Sequence, residues 1–227
     1  MFAIHNPVIV TLSVMVTKNL TQRRKGTKTQ RDYSRSTRGN GLLEPLLARL
    51  RARKANQLIP ERLRHGRILD IGCGSSPYFL AHTSFKEKFA IDQLEPSITT
   101  PEIHWHSLDL NSNPALPFDA EFFNVVTMLA VIEHLNPASL IELLGEVHRV
   151  LQPGGQVILT TPAAWSDSLL RGMAQIRLVS EEEINEHTFS YTLPLIGWCF
   201  GRAGFAMDKV KFGYFEFWLN LWGTAER

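Results

Sequence analysis

The stretch Arg67-Ile-Leu-Asp-Ile-Gly-Cys-Gly74 decides how this chain is read. Its first five residues form a short apolar run of strand length, and Gly72-Cys-Gly74 is a glycine turn at the strand's end. Ser75 or Ser76 as N-cap, with Pro77 at the first helical position, predicts a helix over residues 77–83. Glycines at such a turn let a ligand approach the backbone closely, and the helix after it would offer free N–H groups.

Working outward, the alternation continues. Residues 88–92, 103–108 and 122–129 read as strands, the last a continuous apolar run of the kind buried on both faces. Asn136-Pro137 opens a helix with Leu140, Leu143, Leu144, Val147 and Leu151 on one face, and Pro153-Gly154-Gly155 breaks it before a strand over 156–161. Strands alternating with helices imply a mostly parallel sheet covered on both sides. Further on, residues 166–178 and 192–203 predict helices. Residues 205–212 and 214–221 predict two antiparallel strands joined tightly at Gly213. The second carries apolar residues on both alternating faces, which favours a buried place in the sheet. An aromatic tip inserted in a membrane is the competing reading of the same residues.

Upstream, residues 42–59 predict an amphipathic helix that packs Leu43, Leu46, Leu47, Leu50 and Leu58 on the sheet. Arg49, Arg51, Arg53 and Lys54 crowd its other surface. Residues 1–41 read as a disordered basic extension, dispensable to the domain at 42–227, with Met15 as an alternative start. The apolar run Phe2–Val16 is too short to span a bilayer, and its positive charges follow it rather than precede it, unlike a secretory signal.

The 227 residues are 44% hydrophobic and 20% charged, which excludes disordered, collagen-like and disulfide-stapled classes. The net charge of +2 divides into +12 over residues 1–67 and −10 over the remainder, a balance that would repel a nucleic-acid backbone from the body of the chain. Cys73 and Cys199 show no metal-ligand spacing and fit a reducing, cytoplasmic setting.

In an open parallel sheet, ligands gather beyond the carboxyl ends of the strands. Asp70 beside the glycine turn would repel a pyrophosphate but suits a cationic amino group, and Pro77 stands where a dinucleotide fingerprint has its third glycine. Asp92, about twenty residues on, is placed to accept from a ribose diol. Asp109 can accept from an adenine amine, with Leu94 and Leu110 against the purine faces. Each also has a plain structural role open to it: turn-capping for the aspartates, packing for Cys73.

Together, Arg67–Gly74, Ala90-Ile-Asp92, Leu108-Asp-Leu110, Val131-Ile-Glu-His-Leu135 and Glu146–Gly155 resemble the class I S-adenosylmethionine-dependent methyltransferases, in their small-molecule "type 11" branch. The resemblance covers residues 42–215. It implies a Rossmann-like three-layer sandwich with a mostly parallel seven-stranded sheet and a C-terminal antiparallel hairpin, the last strand inserted. By the same resemblance Asp70 lies near the methionine amine and Gly72, Cys73 and Gly74 cradle the methionine and ribose. Asp92 with Gln93 takes the ribose hydroxyls, Asp109 and Leu110 the adenine, and Ala130 offers backbone to the methionine end.

Methyl transfer from a sulfonium is an in-line displacement that positioning and desolvation can drive. No metal is expected. Where the acceptor is a hydroxyl, His134, Glu133 and His187 are the candidate bases, and a core or helix-cap role for His134 is the alternative. The expected acceptor is a small molecule, a lipid or a saccharide precursor, with no nucleic acid, no integral membrane segment, and peripheral membrane contact left open. Two other readings compete: a non-catalytic partner subunit of the same fold, and a nicotinamide-dependent oxidoreductase or epimerase.

Overall fold

The apolar runs of the sequence become the strands of a single sheet. The computed structural model describes residues 43–97, 100–110, 114–166 and 188–227. In chain order its elements are α1 (Glu44–Leu58), β1 (Arg67–Ile71), α2 (Tyr78–Ala81), β2 (Glu87–Asp92), β3 (Ile103–Ser107) and β4 (Phe123–Leu129). There follow α3 (Pro137–Val150), β5 (Leu151–Pro162), α4 (Leu193–Arg202), β6 (Val210–Phe215) and β7 (Asn220–Glu226). The sheet order is β3-β2-β1-β4-β5-β7-β6. The first five strands pair in parallel, and β7 lies antiparallel between β5 and β6, so the expected Rossmann-like sheet with an inserted last strand is present.

Neighbouring residues of the central strands serve opposite cores, as the two-residue period of a strand requires. Ile68, Val125 and Ile158 pack with Ala52, Ala55 and Ile59 of the α1 side. Leu69, Val126 and Leu159 pack with Leu140, Leu143, Leu144 and Val147 of α3 and Ile196, Cys199 and Phe200 of α4. Asn136 caps α3 by accepting from the N–H groups of Ala138 and Ser139, both at 3.0 Å. The cap contributes about 1 kcal/mol, whereas each buried leucine contributes about 1.5–3 kcal/mol. Packing therefore holds α3 and the cap sets where it begins.

Four local expectations are corrected. α1 packs mainly by Ala52 and Ala55 rather than by its leucines: of those, Leu58 lies half-buried against the same core, while Leu46 is 50% exposed. Small side chains let the helix axis approach the sheet and leave the leucines on its flanks. The helix after the glycine turn spans only Tyr78–Ala81, with no side-chain cap; the Ser76 hydroxyl is buried without a partner. The Pro-Gly-Gly segment does not separate α3 from its strand; β5 starts at Leu151 and passes through it with a register shift against β4. Finally, Gly213 lies within β6, where a Cβ would meet the Trp222 ring at 3.0 Å. The reversal falls instead at Glu216–Trp218, three non-glycine residues with positive φ. The helix expected over 166–178 lies almost wholly outside the described residues.

Candidate functional site

Register places the ends of β1 to β5 along one edge of the sheet. Ile71 pairs with Ile91 and Met128, Asp92 with Ser107, and Leu129 with Thr160. The strand order reverses between β1 and β4, the place where open parallel sheets of this kind bind their ligands.

Asp70, one residue before the end of β1, is buried, and its Oδ1 accepts from the Thr127 hydroxyl at 2.6 Å. Burial pushes its carboxyl from 3.8 up to about 7. The Thr127 hydrogen bond opposes that rise and the charge of Asp92 adds to it. Gly72 follows with φ +71°, its N–H on the Ile91 carbonyl at 2.8 Å, and a Cβ there would lie 2.5 Å from Val131 Cγ2. Gly74 also has positive φ.

Asp92 joins two loops. Its Oδ2 accepts from the Gly74 N–H at 2.7 Å, and its Oδ1 from the Leu94 N–H at 2.9 Å. Cys73 is buried in the core on the α1 side, consistent with packing. Gln93 and Leu94 are exposed beside Asp92. Asp109 is exposed on the loop after β3, while Leu110 packs half-buried against the α3-side core.

At the end of β4, Ala130 takes φ +56° and donates its N–H to the Thr160 carbonyl at 3.0 Å, which turns the chain sharply. One 3-10 turn, Ile132–His134, follows. Glu133 within it is buried, its Oε2 has no hydrogen-bond partner, and its carbonyl accepts from the N–H groups of Thr188 and Phe189. His134 is half-buried beside it. His187 lies outside the described residues; Thr188, the next in sequence, is seated on the Glu133 turn. Tyr191 is buried, its hydroxyl donating to the Leu135 carbonyl at 2.9 Å, and burial raises it well above the usual phenol range.

The structure thus gathers Asp70, Gly72, Gly74, Asp92, Ala130, Glu133 and His134 on one edge. Sequence reasoning missed Thr127, Val131 and Thr160, which position them. Thr127 had a signal: it is a hydroxyl inside the apolar run Val125–Leu129, and a polar group in a strand buried on both faces needs a partner. Among the described residues no group of three or more His, Cys, Asp or Glu could hold a metal ion. No helix there is long and apolar enough to cross a membrane.

Residues 42–210 match the methyltransferase-domain family. The chain belongs to that family, with the class I S-adenosylmethionine-dependent fold that its motifs implied. Among the curated proteins, none matches it. Among solved structures it is similar to an S-adenosylmethionine-dependent methyltransferase from Archaeoglobus fulgidus, at 18% identity and TM-score 0.59, covering 79% of this chain and 94% of that one. It is similar to another from Mesorhizobium loti, at 16% identity and TM-score 0.55, covering 83% and 99%. A chain of the structure described as "Complex between the Haloferax volcanii Trm112 methyltransferase activator and the putative methyltransferase" aligns at 15% identity and TM-score 0.62, covering 81% of this chain and 91% of that one. At these identities the likeness is one of fold.

Proposed function

We propose that this chain transfers a methyl group from S-adenosylmethionine to a small-molecule, lipid or saccharide-precursor acceptor. The observation that carries the reading is Asp92, a buried carboxylate fixed by two backbone N–H groups at the edge where Asp70 and the glycine turn also end. The residues present fit the cofactor's chemistry. Asp70 is a buried carboxyl with a raised pKa, and a cationic amine beside it would favour its ionised form. Gly72 is crowded against Val131 and has positive φ, so only glycine fits the turn at this point. Asp92 is an acceptor-only group at this edge, the kind of group to which a ribose diol donates. Asp109, exposed after β3, is assigned to the adenine amine and Ala130 to the methionine end.

When bound, the cofactor supplies an electrophilic methyl group on a sulfonium. The chain's own contribution is to orient the acceptor in line, exclude water and, for a hydroxyl acceptor, remove a proton. His134 is the first assigned base because it leaves β4 directly at this edge; Glu133, buried beside it, and His187 are the others.

Calorimetry with S-adenosylmethionine tests the reading. Saturable binding is expected, lost in Asp92→Ala, whereas His134→Ala keeps binding and slows turnover. Absence of binding by the unaltered chain would end the proposal.

A further inference from the structure

The turn between β6 and β7 places two large aromatic rings in water. Phe217 is 88% and Trp218 66% exposed, and both, with Glu216, take positive φ between 52° and 66°. Connecting turns fill left-handed positions with Gly, Asn or Asp, since large side chains there are strained. The turn is nonetheless built firmly. The Leu219 N–H donates to the Glu216 carbonyl at 3.0 Å, and the Leu219 carbonyl accepts from the Ala163 N–H at 2.8 Å, beside the Ser166 hydroxyl, which shares its proton between the Ala163 and Leu219 carbonyls at 2.7 and 3.0 Å. The Asn220 side-chain amide donates to the Glu216 carboxylate, whose burial raises its pKa against the lowering effect of the Arg51 charge. Folding gains little from rings held outward on such a base.

Pro162 and Phe215 both pair with Asn220, so the tip stands at the edge that carries Asp70 and Asp92. Trp165, 57% exposed, sits on the turn that binds Leu219. α1 directs its start toward the same edge, with Lys54 standing 4.8 Å from the centroid of the Trp222 ring, which pairs opposite Thr160. Just beyond its other end, Arg62 reaches the Gly154 carbonyl before the central pairing of β5. Arg49 and Arg53 are exposed on its outer side.

We infer that this corner docks on an anionic lipid bilayer. Phe217, Trp218 and Trp165 enter the interfacial layer, where aromatic rings concentrate, and the exposed Arg49 and Arg53 of α1 meet the headgroups. The shape favours a fluid partner: a convex apex touches little of a rigid protein but can be immersed in lipid. Apolar and basic anchors together supply the two signals that stable peripheral binding needs. Docking is independent of the methyl-transfer reading. Its consequence, that an acceptor held in the membrane would face Asp70 and Asp92, rests on that reading.

The test is co-sedimentation of the full chain with phosphatidylcholine vesicles, with and without about one third phosphatidylglycerol. Binding to the anionic vesicles alone is expected, with release at about 0.5 M salt. The double variant Phe217→Ser, Trp218→Ser is expected to bind about tenfold less, and Arg49→Glu, Arg53→Glu to lose the preference for anionic lipid, both melting as the parent does. No vesicle binding by the full chain, or binding undiminished in the tip variant, overturns the proposal. So does a dimer in sedimentation velocity that the tip variant converts to monomer, which would make the apex a contact between copies. Failure to bind S-adenosylmethionine with vesicle binding intact would sink the methyl-transfer reading and leave docking standing.

Discussion

The Thr127 hydroxyl donates to Asp70 Oδ1 at 2.6 Å across strands β4 and β1, where the two residues are direct partners in register. That single hydrogen bond offsets only part of the cost of burying the carboxyl, which titrates at about 7 instead of 3.8. The folded state therefore holds a proton that the unfolded state has lost between these two values. Its stability falls as pH rises from about 4 to about 7 and is level above that. Asp70→Asn removes the term. At pH 8 it is expected to raise stability by an amount of up to about 4 kcal/mol, and to change little at pH 4. Thermal unfolding at the two pH values checks this, and a variant that gains nothing at pH 8 refutes it.

The same carboxyl governs cofactor binding. An amine is met by ionised Asp70, so S-adenosylmethionine affinity is expected to rise with pH through about 7 and to be roughly tenfold weaker at pH 6 than at pH 8. Thr127→Val removes the hydrogen bond that favours ionisation and is expected to move this dependence to higher pH. Titration calorimetry across the range measures both; a flat profile would separate Asp70 from the amine.

Gly72→Ala combines a clash with strain, because the new Cβ meets Val131 Cγ2 at 2.5 Å and φ is +71°. A loss of about 1–3 kcal/mol is expected. Adding Val131→Ala relieves the clash alone, so the pair is expected to recover part of the stability. A double-mutant cycle on urea midpoints reads the coupling, and strict additivity would contradict the contact.

Asn136→Ala removes the acceptor of two N–H groups at the start of α3. It is expected to cost about 1 kcal/mol of stability by urea unfolding. Cofactor affinity is expected to be unchanged, since Asn136 touches none of the gathered carboxylates.

Much of this was legible in the residues themselves. The run Arg67–Ile71, the Asn136 cap and the leucines of α3 are local signals, and local physics decides them. Gly213 was not legible as a strand residue, because its reason is the Trp222 ring on the neighbouring strand. Nor was the true turn, where Glu216, Phe217 and Trp218 carry none of the usual turn chemistry. The leucines of α1 misled for a related reason: the sheet selects Ala52 and Ala55, and the selection depends on how near the helix comes. At the site, the acidic residues stand out by type and spacing, but Thr127, which holds Asp70, and Thr160, which holds the Ala130 turn, depend on register between strands distant in sequence.

Asp92 binds the Gly74 and Leu94 amides with its two oxygens, and so couples the opening of two loops that lie about twenty residues apart. The Leu94 bond is local to the second loop, whereas the Gly74 bond ties the first loop to it. The Gly74 amide therefore reports separation of the two loops, and its hydrogen exchange is expected to slow when a ligand on Asp92 holds them together.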